Sequence, residues 1–104
     1  MEVPLGNLLG EHGRGFIQLM EQLPQERMLI ALGCVATMER AVEETIAYTK
    51  QRVFGASLID LQNTRFKLAE CKTKATIARN FVDGCMVKVL AGELDPATAA
   101  MANW

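Results

Sequence analysis

The chain is poor in aromatic residues and has one histidine, and it shows no lysine–arginine cluster, no long apolar run and no CxxC pair. Each shortage removes a class of protein. Aromatics are 6% of 104 residues while half the residues are hydrophobic, a helical rather than a β-sandwich composition. A formal net charge of -1 without a basic patch lacks the electrostatic footprint that nucleic acid requires. No uninterrupted apolar stretch approaches the ~18 residues that span a bilayer, and no signal-peptide pattern opens the chain, so no membrane insertion is expected. Cys34, Cys71 and Cys85 are odd in number and widely spaced, and read as buried free thiols of a soluble intracellular protein. His12 stands among glycines without a histidine or cysteine neighbour, so no metal site is expected. Gly10, Gly13 and Gly15 follow no apolar strand and read as connector rather than phosphate loop. No nucleophile elbow or triad is present. At this length the chain is one domain or less.

What is present is helical periodicity. A short helix fits Phe16 to Leu23, and Pro24 suits the first turn of a new one, where its missing N–H costs nothing. From there Met28, Leu32, Val35, Val42, Ile46 and Thr49 recur at three-to-four-residue steps, with Glu43 and Glu44 facing away. The expected helices cover 24–53 and 58–91, with no β-strand between Arg27 and Leu90. Leu58, Leu61, Leu68, Ala75, Phe81 and Val89 mark the inner side of the second helix, and Gly84 suggests a close helix contact. Gly92, Asp95 and Pro96 read as C-terminal cap, N-cap and first position of a third helix. A two-helix hairpin has no enclosed interior, so Ile30, Leu32, Phe66, Ile77, Phe81, Met86 and Val89 cannot all be buried within it. More chain beyond Trp104, further copies, or both are expected to cover them; the chain reads as a fragment.

The chemistry concentrates in Leu23-Pro24-Gln25-Glu26-Arg27-Met28-Leu29, which sets a carboxylate in what reads as a helix's first turn. By position alone Glu26 is a match to the positive helix end, and Arg27, about 100° further round, a surface or interhelix ion pair. Arg52 and Phe54 alone read as a cationic helix end with a hydrophobic turn. These segments, with Gly10-Glu11-His12-Gly13-Arg14-Gly15-Phe16 ahead and Leu61-Gln62-Asn63-Thr64-Arg65-Phe66-Lys67-Leu68-Ala69-Glu70 behind, resemble the C-terminal helical domain of acyl-CoA dehydrogenases. The resemblance covers essentially the whole chain and is nearest to the long-chain branch.

The resemblance implies an all-α fold: long antiparallel helices of a C-terminal four-helix bundle, truncated after the start of the third. Residues 1–15 would be a connector from a missing middle β-domain and residues 16–104 a partial bundle. It implies a fragment of an FAD-dependent oxidoreductase of fatty acid β-oxidation that forms the α,β double bond of acyl-CoA thioesters. Glu26 would be the base, in a dry pocket framed by Leu23, Pro24, Met28 and Leu29 that raises its pKa. Pro24, Gln25, Glu26 and Arg27 would contact acyl-CoA. Arg52, Phe54 and Gln62 match positions that touch FAD, although the usual R-x-x-F-G is one residue short at Arg52-Val53-Phe54-Gly55. Glu26 and Arg52 lie roughly 39 Å apart along a continuous helix, too far for one flavin site, so a homo-oligomer (dimer or tetramer) sharing FAD sites is expected. Electron-transfer flavoprotein is implied as acceptor, in the bacterial cytoplasm or the mitochondrial matrix. The alternative is a non-catalytic helical assembly module that oligomerises but binds no flavin alone.

Overall fold

The computed structural model describes residues 2–53 and 55–102, apart from the side chains of Arg52 and Val53. Three helices carry the chain: α1 (Gly15–Thr49), α2 (Gln62–Ala91) and α3 (Pro96–Ala102). The fold is all-α, as expected. α1 and α2 form an antiparallel hairpin, and α3 folds back onto both. The molecule measures 72 × 34 × 18 Å with a radius of gyration of 21.4 Å. A self-contained domain of this length would have about 13 Å. The chain is an open layer rather than a closed unit.

Three expected boundaries are corrected. The short helix at Phe16–Leu23 and the helix starting at Pro24 are one continuous element, with Pro24 inside α1. Proline removes one backbone bond, but the flanking leucines, methionines, glutamines and glutamates favour helix, and no glycine or cap residue separates the two halves. At the other end α1 stops at Thr49 rather than Val53. The expectation of no strand before Leu90 also fails here. Arg52–Val53 (β1) and Ala56–Ser57 (β2) form a two-residue antiparallel ladder, with Arg52 opposite Ser57 and Val53 opposite Ala56. Gly55, at φ +88, supplies a left-handed conformation that other residues rarely adopt. The Ser57 hydroxyl donates to the Lys50 carbonyl at 3.1 Å, satisfying an acceptor that the helix end leaves open. A 3-10 turn at Leu58–Asp60 then leads into α2, so the second helix starts at Gln62 rather than Leu58.

The α2–α3 junction matches its expectation. Gly92 sits at φ +71 as the left-handed cap, and the Glu93 N–H reaches back to the Lys88 carbonyl at 2.8 Å. Asp95 accepts from the Thr98 N–H at 2.9 Å, and Pro96 opens α3.

The core is a narrow seam of Met28, Ala31, Val35, Val82 and Cys85, flanked by Leu32, Ala78, Met86, Val89, Leu94 and Ala102. Of the expected α1 stripe, Met28, Val35, Val42 and Thr49 are buried and Leu32 and Ile46 half-buried. On α2 the inner side is Ala75, Val82 and Cys85, so Phe81 is displaced by one position and is 40% exposed. Gly84 makes no close contact: a Cβ there would meet nothing within 4 Å. Only Cys85 is a buried thiol, whereas Cys34 and Cys71 are exposed. Ile30, Phe66 and Ile77 remain exposed, consistent with a two-helix layer that cannot enclose its own apolar surface.

Candidate functional site

Glu26 does not lie in a first turn. α1 begins at Gly15, so Glu26 is about three turns inside it, beyond the reach of the positive helix end. A helix-dipole role is thereby removed. Glu26 is exposed, and among the described residues it enters no hydrogen bond or ion pair. Met28 is buried on the seam about 200° round the helix, so Glu26 faces away from α2. Beside it on this side of α1 lie exposed Leu19 at 53%, Leu29 at 63% and Ile30 at 58%, together with the exposed polar Gln22. The expected dry pocket is therefore not built by this chain alone. Leu23, one turn before Glu26, is half-buried on the same side, whereas half-buried Pro24 and buried Met28 face away from it.

Pro24 and Gln25 line a shallow groove of about 160 Å³ with Glu21, Val89, Gly92 and Leu94. The groove exists because the Gly92 cap turns the chain back against α1. Glu26 and Arg27 lie outside it. Four successive helical positions fan about 100° apart, so Pro24 to Arg27 cannot all meet one flat surface. Arg27 is half-buried and, among the described residues, has no ion-pair partner.

From Glu26 to Thr49 the helix runs about 35 Å, so the Arg52–Gln62 turn lies at the far end of the hairpin. Arg52 lies in β1, its side chain outside the described set, and Phe54 lies outside the described residues altogether. Gln62 is exposed at the first position of α2. The preceding Leu61 offers no side-chain cap, so first-turn N–H groups have no side chain closing them. Nearby, Arg65 donates to the Asp60 carbonyl at 3.3 Å. The structure does not bring Glu26 together with Arg52 or Gln62.

Sequence reasoning missed the ion pair across the middle of the hairpin. Arg79 meets Glu39 with two bonds, Nε to Oε1 at 3.2 Å and Nη2 to Oε2 at 2.7 Å. Arg79 also reaches Asp83 at 3.5 Å. The Arg79 hydrogen bond holds the Glu39 carboxyl below the usual carboxylate range, and the same bond raises Arg79. Folding the sequence about residues 58–60 would have set the two opposite each other. A second, apolar groove of about 300 Å³ runs between α1, α2 and α3, with Cys34, Met38, Phe81 and Met101 on its walls. None of the expected site residues lines it. No helix among the described residues is long and apolar enough to cross a membrane.

Comparison with known proteins adds identity to this geometry. A family model described as "Acyl-CoA dehydrogenase, C-terminal domain" matches residues 13–104. The mitochondrial long-chain specific acyl-CoA dehydrogenase of Rattus norvegicus is 42% identical over 105 residues, covering 100% of this chain and 24% of the relative. The crystal structure of acyl-CoA dehydrogenase from Geobacillus kaustophilus superposes with a TM-score of 0.94 at 40% identity, covering 98% of this chain and 27% of that one. Butyryl-CoA dehydrogenase from Megasphaera elsdenii gives 0.89 at 38%, with 96% and 26% covered. The chain thus spans about a quarter of the length of the proteins it matches.

Proposed function

Since the chain belongs to the acyl-CoA dehydrogenase family, matching its C-terminal domain, we propose that it supplies the proton acceptor and part of the flavin contact of an enzyme that desaturates acyl-CoA thioesters. The observation that carries this reading is Glu26: a carboxylate with no hydrogen-bond or ion-pair partner among the described residues, far from either helix end, with exposed Leu19, Leu29 and Ile30 beside it. Exposed apolar surface of this kind is ordinarily covered. Once an acyl chain and the rest of the enzyme cover it, water is excluded from the carboxylate at the point where it is to accept a proton.

In the proposed reaction Glu26 takes the proton from the α-carbon of the thioester, and the C–H pair becomes the new α,β double bond. FAD supplies the hydride acceptor for the β-carbon. Arg27, about 100° round α1 from Glu26, would anchor the polar end of the substrate, and Pro24 and Gln25 would contact it where it wraps towards their groove. The turn end suits a dinucleotide in the chemistry of its donors: the exposed Gln62 amide and first-turn N–H groups of α2 that no side chain among the described residues caps, with Arg52 by residue type as the cation for a phosphate. Phe54 would pack on the cofactor. The separation of about 35 Å between Glu26 and the end of α1 supports a homo-oligomer, dimer or tetramer, in which one subunit gives the base and another the turn. Electron-transfer flavoprotein would then reoxidise the flavin. Cytoplasm or mitochondrial matrix is the fitting compartment.

The test is Glu26→Gln in the full-length enzyme. The variant should bind flavin, and bind acyl-CoA within about tenfold, while anaerobic flavin reduction by substrate falls by ~10²–10⁴ or more. Reduction at the wild-type rate would place the base outside this segment.

A further inference from the structure

We propose that the Glu39–Arg79 pair is a register lock, fixing how far α1 is slid along α2 and so positioning Pro24 and Gln25 against the α2–α3 turn, and Glu26 with them on the other face of α1. The inference rests on the functional reading above, because it is those residues that the lock would place. Glu39 and Arg79 are positioning residues; neither is near the groove itself.

The rest of the seam is a poor ruler. Ala31, Ala75 and Ala78 are small, and hydrophobic burial is non-directional, so sliding one helix along the other changes it gradually. A guanidinium fork meeting both oxygens of a carboxylate is satisfied in one geometry only, here at 3.2 and 2.7 Å. Among the described residues this is the ion pair that joins two helices. The others are local, three or four residues apart. The pair is half-buried, with side-chain exposures of 36% for Arg79 and 30% for Glu39. Fixing register is the best-attested role of polar groups buried between helices, and this pair shares their partly enclosed position. Asp83, one turn beyond Arg79, holds a further guanidinium nitrogen at 3.5 Å and so orients the fork.

The sequence also offers the pairing that the lock must exclude. Glu43 lies one turn after Glu39 on α1 and is exposed. A hairpin slipped by one turn would present Glu43 to Arg79. That slip would move Pro24 and Gln25 by roughly 5–6 Å relative to Val89, Gly92 and Leu94, which form the opposite groove wall. Glu26 would move with them.

The test compares Glu39→Gln, Arg79→Gln and the reversed pair Glu39→Arg with Arg79→Glu in the full-length flavoenzyme that carries this segment. Register is read from the electron–electron distance between nitroxides on the exposed Cys71 and on a cysteine replacing the exposed Ala36. Other cysteines are replaced and labelled subunits are diluted with unlabelled ones. Chemistry is read as flavin reduction per bound flavin. Wild type should give one distance. Each single variant should add a population displaced by about 5 Å and slow reduction between about tenfold and 10²-fold. The reversed pair should recover both. An unshifted distance in both single variants overturns the lock, whatever happens to thermal stability. Shifted distances with unchanged reduction overturn the positioning role, as does a folded reversed pair that recovers neither. Failure of the Glu26 reading appears separately, as normal reduction in Glu26→Gln while the distances still respond.

Discussion

The two ends of the hairpin are built to different standards. At the Glu26 end three helices converge: Met28 is 1% exposed, Leu94 packs on the core cluster, and the Gly92 cap presses the α2–α3 turn towards Pro24. At the turn end α1 and α2 are joined by a two-residue ladder, a 3-10 turn and the Ser57–Lys50 bond. The first end can hold a backbone still within one chain, as a proton acceptor needs. The second presents polar groups on a short connection and relies on something outside the hairpin to hold it. That contrast is the basis of the proposed division of labour between subunits.

The comparison can be broken from either side. The largest effect belongs to Glu26→Gln, with its ~10²–10⁴ loss of flavin reduction and intact flavin binding. Next, Met28→Ala should destabilise the full-length protein by about 2–5 kcal/mol, since it empties a closed site among three helices. Denaturant melting reads it, and a loss well under about 1 kcal/mol would mean that this end is loosely packed after all. Arg52→Ala should weaken flavin retention by roughly 1.5–3 kcal/mol, the range for hydrogen bonds to charged groups, while the remaining holoenzyme reduces at near the wild-type rate. Flavin release under dilution measures it, and a slowed proton-transfer step with full flavin content would count against the separation of roles.

The smallest effect is acid sensitivity. Arg79 holds Glu39 below its ordinary pKa, so the pair's contribution is present above the usual carboxylate range and is lost as pH falls through it. The melting gap between wild type and Glu39→Gln should be open at pH near 7 and close below about 4. A gap that stays constant across that range would show that the charge on Glu39 is not what matters.

Much of the fold was legible because helix periodicity and capping are local properties. Met28, Val35, Val42 and Thr49 announced the α1 seam, and Gly92, Asp95 and Pro96 announced the α2–α3 junction. Pro24 misled because a proline looks the same at a helix start and inside a helix; the flanking residues, which favour helix on both sides, decide. The ladder at 52–57 was hidden because two residues are too few to show alternation. Phe81 and Gly84 were misplaced because α2 has a weakly amphipathic pattern, and which face is inner depends on α1. Of the proposed site, Glu26 was singled out through its neighbours in sequence. That it faces away from the seam required the three-dimensional arrangement, as did the pairing of Glu39 with Arg79.

Subunit mixing tests the account most directly. Glu26→Gln subunits, deficient in flavin reduction, and Arg52→Ala subunits, stripped by dilution of the flavin they hold weakly, are combined in one oligomer by co-expression with separate affinity tags. If the base and the turn serve different flavin sites, each mixed dimer contains one site with both residues native, and flavin reduction returns in the doubly tagged fraction. Doubly tagged oligomers that bind flavin yet regain no reduction would contradict the account, placing both residues of each site on the same chain.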